Sequence, residues 1–218
     1  MDKRKNYYIT LDTETAMPLD NPLVYDIGFI VHDKQGTIYE RHSYIVQEIF
    51  FKQEIMATAY YKDKIDSYVD DINNGTRIIK KFNDIRKILL SLYNEYNCKA
   101  IISYNARFDY KALNNTTQYL NGYKYYYPKK VEIYDSLKMV NDTLAKRNTY
   151  KRFCQENGYL TNHKTPRPQV KAEIVYRYIT RDLNFVESHT GHEDCEIEVV
   201  IFTKCMQQHK KMRKKLWD

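Results

Sequence analysis

With 218 residues, 43% of them hydrophobic and 29% charged, the chain is long enough for one packed α/β domain and short for two. No stretch approaches the ~18 apolar residues of a membrane span, and the polar start MDKRKN leads into no apolar signal core, so a cytoplasmic protein with no membrane partner is expected. The formal charge of +7 is concentrated: residues 210–218 hold five Lys/Arg against one Asp, so the body is not a uniformly basic nucleic-acid binder.

Residues 7–16 (YYITLDTETA) read as a strand whose alternation puts Asp12 and Glu14 on one face and Thr13 on the other. Residues 21–33 and 36–46 read as two further strands, joined by the DKQG turn into an antiparallel meander. Residues 47–77 lose clear periodicity and read as an inserted arm of short helices and loops. Ile78, Ile79, Phe82, Ile85, Leu89 and Leu92 make a helical stripe over 76–97. KAIIS (99–103) suits a short buried strand, 107–120 returns to helical spacing, and VEIYD (131–135) is another strand running into a helix. From about 149 the chain is mainly helical around a Pro-containing loop at 162–169. This order predicts one α/β domain over 1–209, a mixed five-stranded sheet flanked by helices, followed by the basic tail 210–218. That tail reads either as a solvated helix end or as a phosphate-contacting surface.

Cys98, Cys154, Cys195 and Cys205 form no CxxC pair and fit reduced thiols. The 22 tyrosines cluster at YYK (60–62) and YKYYY (123–127). Such clusters serve as stacking platforms for unpaired bases, and they also follow from AT-rich coding.

The chemistry is carried by acids. Asp12 and Glu14 side by side repel unless a proton or a cation lies between them. Two solvated acids at a strand end is the ordinary alternative. In IISYNARFDYKAL, Asn105 reads as an N-cap and Asp109 falls in the first turns of the next helix, on the face of Ala112 and Leu113. In ESHTGHEDCEIEVVIF, Thr190 and Glu193 fit a capping box, so the helix begins at Gly191 with His189 just outside it and Asp194 one turn in. Five positions at ~100° per residue differ by ~140°, so a continuous helix would not aim both groups at one point. A loop His189 suits a movable proton acceptor beside a fixed ligand. His189, His192 and Cys195 also form an H-x2-H-x2-C run, which lacks a fourth zinc ligand; His192 reads as a helix-surface residue.

D-x-E at Asp12/Glu14, N-x3-D at Asn105/Asp109 and H-x4-D at His189/Asp194 occur in the order and contexts of the DEDDh 3′–5′ exonucleases. This is the proofreading-subunit-like (DnaQ-like) branch of the ribonuclease H-like superfamily, and the resemblance covers roughly residues 6–209. YKRFCQENGYLTNHKTPRPQVKAEIVYRYI further resembles stand-alone bacteriophage exonucleases. The resemblance implies a ribonuclease H-like fold and bacterial or phage-host cytoplasm. It implies two Mg²⁺ or Mn²⁺ ions, with Asp12, Glu14 and Asp194 holding one, Asp12 bridging to the second and Asp109 supporting it through water. His189 would be the general base. Thr13, Thr15, Ala16, Met17, Asn105 and Phe108 would contact substrate, with Met17 or Leu19 as the apolar wedge under the terminal base. Ala16 stands where such enzymes often have a second threonine. The implied substrate is single-stranded or frayed DNA with a free 3′ end, or RNA, cut to nucleoside 5′-monophosphates. A polymerase or another replication protein is the implied protein partner. Two other readings stand beside this one: a nuclease-fold binding module attached to a polymerase or host factor, and a zinc-dependent interaction domain built on His189, His192 and Cys195.

Overall fold

The computed structural model describes residue 2 and residues 4–217; Met1 and Lys3 of the expected domain and Asp218 of the expected tail lie outside the described residues. Strands β1 (Tyr7–Ala16), β2 (Leu23–Asp33) and β3 (Ile38–Val46) form the antiparallel meander. The arm folds as α1 (Gln47–Phe50), α2 (Gln53–Met56), a 3-10 turn and α3 (Ile65–Asn73). Strand β4 (Ile78–Lys80) and helix α4 (Phe82–Glu95) follow, then β5 (Ile101–Ser103), α5 (Arg107–Asn121), β6 (Ile133–Asp135) and α6 (Ser136–Asp142). Helices α7 (Asn148–Glu156), α8 (Ala172–Thr180) and α9 (Gly191–Met206) complete the fold. The sheet order is β4-β3-β2-β1-β5-β6, with β4, β5 and β6 each parallel to their inner neighbour.

Among the described residues the sheet therefore has six strands, where five were expected. The difference lies at Ile78–Lys80, read from sequence as the start of a helix. Ile79 pairs with Ile45 of β3 and Ile78 is 51% exposed, so the two isoleucines satisfy an edge strand and not a helical stripe. Lys81 is extended (φ −66°, ψ 140°), and the helix begins one residue later.

Alternation along β1 sorts its side chains between two cores. Tyr7, Ile9 and Leu11 pack with Phe82, Ile85 and Leu89 of α4 and Ala112 and Leu113 of α5. Tyr8 points the other way, into a core with Ile197, Ile201 and Phe202 of α9 and Tyr150 of α7. Continued one turn of the pleat further, the same alternation sends Thr13 toward α5 and Asp12 and Glu14 toward α9. Helix α9 is buried along most of its length, as a helix packed against the centre of a sheet must be. Among the described residues no helix is long and apolar enough to cross a membrane.

The basic tail is not a solvated helix end. Helix α9 stops at Met206, and the chain returns along the outer edge of β6. The Asp135 amide donates to the Lys214 carbonyl at 2.7 Å and the Leu216 amide to Ile133 at 2.9 Å. Leu216 is buried, so the tail covers a sheet edge that would otherwise be open.

Gly28 of β2 fixes the distance between sheet and α9. A Cβ built there would lie 2.2 Å from the carbonyl carbon and oxygen of Gly191, backbone atoms that cannot step aside. Gly28→Ala is expected to push the start of α9 off the sheet and lower unfolding free energy by about 3 kcal/mol, the upper end of overpacking costs. Urea unfolding checks the stability. Loss of divalent-ion binding in the folded variant checks that Asp194 has moved.

Candidate active site

Asp12 and Glu14 of β1 meet Asp194 of α9 so that one ligand atom from each lies within 4.8 Å of the others. A second group, Glu187, His189 and Asp194, converges within the same distance and shares Asp194. Asp109 stands outside both groups. It is buried on the inner side of α5, where Thr13 Oγ1 donates to its Oδ1 at 2.8 Å. All these residues line one cavity of about 880 Å³, together with Tyr61, Phe108 and the segment around Pro168–Ala172.

Crowding sets the electrostatics. Burial, then Asp109, Glu198, Glu14 and Asp194, raise Asp12 well above the usual carboxylate range. Burial with Asp26 and Asp194 pushes Glu14 up to about 10, and burial with Glu187 and Glu193 pushes Asp194 up to about 8. Asp109 is pushed up to about 7 by burial, against the hydrogen bond from Thr13. The direction is common to all four: without a counter-charge, the site holds protons.

A buried network seats the start of α9. Asp26 lies opposite Glu14 across the β1–β2 ladder. Its Oδ2 accepts from the Gly191 amide (3.0 Å), Tyr68 Oη (2.8 Å) and Arg77 Nη1 (3.3 Å). Arg77, itself buried, also pairs with Asp71 of α3 (2.9 Å) and Glu193 of α9 (2.8 Å). The expected capping box is present in sequence but not in geometry. Thr190 is the N-cap, yet its hydroxyl donates to the Glu193 carboxylate instead of accepting from a backbone amide.

His189 takes a left-handed φ of 55° just before α9. It is less free than a loop histidine was expected to be. Tyr61 of the arm stacks on its ring (centroids 4.5 Å, 9°), and Lys64 Nζ donates to the neighbouring Ser188 carbonyl. Nδ1 lies 3.9 Å from Glu187 Oε2. Burial first, then Lys64, lower its pKa, so the ring is neutral at pH 7 and able to accept a proton.

The remaining expected site residues divide. Thr15, Asn105 and Phe108 line the cavity, as does Leu19. Ala16 is fully buried and Met17 packs on the core with φ 73°, its amide bonded to Thr58 Oγ1 at 2.9 Å, so neither lines the cavity. Thr13 lines it but spends its hydroxyl on Asp109. Asn105 is not the helix cap; it sits at φ 60° and the cap position falls on Ala106. Cys195 turns to the sheet and donates to the Gly28 carbonyl at 3.3 Å, away from His189 and the half-buried His192.

Four functional candidates escaped the sequence. Glu198 lies one turn beyond Asp194, a spacing that could have revealed it. Its Oε1 accepts from the Tyr104 amide at 3.0 Å, tying the end of β5 to α9, and its Oε2 is buried with no partner among the described residues. Asp26 was legible only through hairpin register. Glu187 and Arg77 carried no local signal. An all-carboxylate donor set with an orphaned buried oxygen suits a hard divalent cation over a thiophilic one.

No family profile and no curated protein sequence matches the chain. Solved structures do share its fold. A 3′-exonuclease that recognises the 3′ end of the histone mRNA stem-loop superposes with a TM-score of 0.61 at 15% identity, over 98% of this chain and 68% of that one. Cell-death related nuclease 4 gives 0.57 at 10% identity, over 96% and 66%. E. coli Exonuclease I in complex with a dA16 oligonucleotide gives 0.56 at 14%, over 94% and 41%. The chain thus spans well under half of that last protein. The mixed sheet flanked by helices that was expected from the sequence is the fold observed, and it is shared with these structures.

The raised acids make a signed prediction. Their folded-state affinity for protons exceeds that of the unfolded chain, so their contribution to stability is full below the ordinary carboxylate range near 4 and is lost progressively as pH rises, through about 8 for Asp194 and on toward about 10 for Glu14. The metal-free protein is expected to melt lower at pH 8 than at pH 5, and added Mn²⁺ to raise the melting temperature most at the alkaline end. A calorimetric series over that range, with and without metal, checks it.

Proposed function

We propose that the chain is a metal-dependent 3′–5′ exonuclease that hydrolyses single-stranded or frayed DNA, or RNA, to nucleoside 5′-monophosphates. The observation that carries this reading is the convergence of Asp12, Glu14 and Asp194 beside a neutral His189 at one cavity. Asp12, Glu14 and Asp194 would hold Mg²⁺ or Mn²⁺, with Asp109 supporting a second ion. Such ions supply charge stabilisation for the attacking and leaving oxygens of an in-line displacement.

The chain's own residues do the rest. His189, held by the Tyr61 ring stacked on it, accepts the proton of the attacking water. Leu19, one of the two expected wedge residues, and Phe108 offer apolar contacts to the terminal nucleotide; Met17, the other, does not line the cavity. Thr13 is a positioning residue that holds Asp109. A place in replication, proofreading or repair, in a bacterial or phage-host cytoplasm and alongside a polymerase or other replication protein, follows the same reading.

Hydrolysis of 3′-labelled single-stranded DNA and RNA, in Mg²⁺, Mn²⁺ or EDTA, tests it. Asp12→Ala, Glu14→Ala, Asp109→Ala and Asp194→Ala are each expected to abolish most turnover in folded protein. Unchanged turnover in any two of them contradicts the two-ion reading, and no turnover by the parent protein favours the binding-module alternative. His189→Ala is expected to cost roughly 10²–10⁴ in turnover, with the loss smaller at high pH where hydroxide replaces the base. Because the His189 pKa is lowered, the parent rate is expected to fall with acid only below about 6.5, the ordinary histidine value.

A further inference from the structure

Two sequence features outside the cavity, the YKYYY cluster and the basic tail, meet in one groove. Tyr125, Tyr127 and Lys129 follow α5, Tyr110 lies on α5, and Lys215 and Trp217 come from the tail; together they line about 610 Å³. Trp217 stands edge-on to Tyr110 with centroids 5.5 Å apart, and Tyr110 lies beside Tyr127 at 6.3 Å. The tail is held there by the backbone bonds of Asp135 and Leu216, so this groove is built and not the chance resting place of a loose end.

Its exposed surface is unusual in kind. Trp217 is 69% exposed and Tyr125 51%, although large aromatic rings are ordinarily mostly covered. The surrounding charge is mainly positive: segments 123–132 and 210–217 hold eight Lys/Arg and one acid, Glu132, which pairs with Lys215 at 2.8 Å, while Arg213 pairs with Asp142 at 2.9 Å. Lys124 lies 5.3 Å over the Tyr125 ring, and Lys129 is exposed beside it. An apolar protein partner would find a surface crowded with lysine. Open rings interleaved with cations match unpaired bases and their phosphates.

We propose that this groove binds single-stranded nucleic acid, at a segment of the strand away from the reacting end. The inference rests on the nuclease reading for its ligand class but uses none of its catalytic residues. The groove and the cavity share no lining residue; Phe108 and Asp109 face one, and Tyr110, the next residue of α5, faces the other. A long substrate would then be held at two places and a trinucleotide at one.

Trp217 is the single tryptophan of the chain, so its fluorescence reports on the groove alone. In EDTA, where strands survive, a long oligothymidylate or oligouridylate is expected to quench Trp217, and a trinucleotide to leave it unchanged. The two long probes separate DNA from RNA preference. Tyr125→Ala with Lys129→Ala, which leave the tail's backbone bonds intact, are expected to weaken anisotropy-measured binding of the long strand by roughly 10-fold, the scale of one lost stack and one lost phosphate contact. Trinucleotide turnover in metal should stay the same, and that turnover tests the nuclease reading separately. Binding of the long strand without quenching, undiminished affinity in the double variant, or no binding of any strand would each overturn the proposal.

Discussion

Mutual repulsion among buried carboxylates is the constraint on which the rest of this structure depends. Asp12, Glu14, Asp109, Asp194 and Glu198 are all buried or nearly so around one cavity, and burial raises every one of them. A fold does not tolerate this arrangement for stability's sake, since unpaired buried charge is among the most costly things a protein can contain. The arrangement makes sense when cations occupy the gap. The metal-free protein then trades charge for protons, and the loaded protein regains the charge.

Because the acids push apart, the elements bearing them must be held by other means. Gly28 and Gly191 let the start of α9 touch the sheet backbone, and Asp26 reaches across to accept the Gly191 amide. Arg77 closes the network by joining Asp26, Asp71 and Glu193, so the arm is tied to the same helix end. The arm is therefore part of the site wall: it supplies Tyr61 behind His189 and Lys64 against Ser188. On the far side, Thr13 and Tyr104 tie α5 and β5 to the acids and to α9. Rigid seating of this sort is what separates a cation site from a patch of repelling acids.

How legible this was in the sequence depended on whether the signal was local. The meander, the start of α9 and the shared face of Asp12 and Glu14 all follow from alternation and capping residues within a few positions of each other. Asp109 and Asp194 were visible because each opens a helix just after a strand or loop. The failures are non-local. Ile78 and Ile79 fit a helical stripe, and only pairing with Tyr44 and Ile45 of β3, 34 residues earlier, makes them a strand. Met17 and Leu19 cannot be distinguished as wedge residues until the left-handed turn at Met17 sends one inward and leaves the other at the cavity. Arg77 looks like any surface arginine until Asp26 and Glu193, far apart in the chain, converge on it. The tail's docking on β6 is equally invisible, since a sheet edge has no sequence of its own.

Crystals soaked in Mn²⁺ and measured for anomalous scattering address the central claim most directly, because they locate the cation without relying on turnover. The account expects a peak among Asp12, Glu14 and Asp194, lost in Asp194→Ala. Absence of density there at saturating Mn²⁺, with the acids in the positions described here, would contradict it.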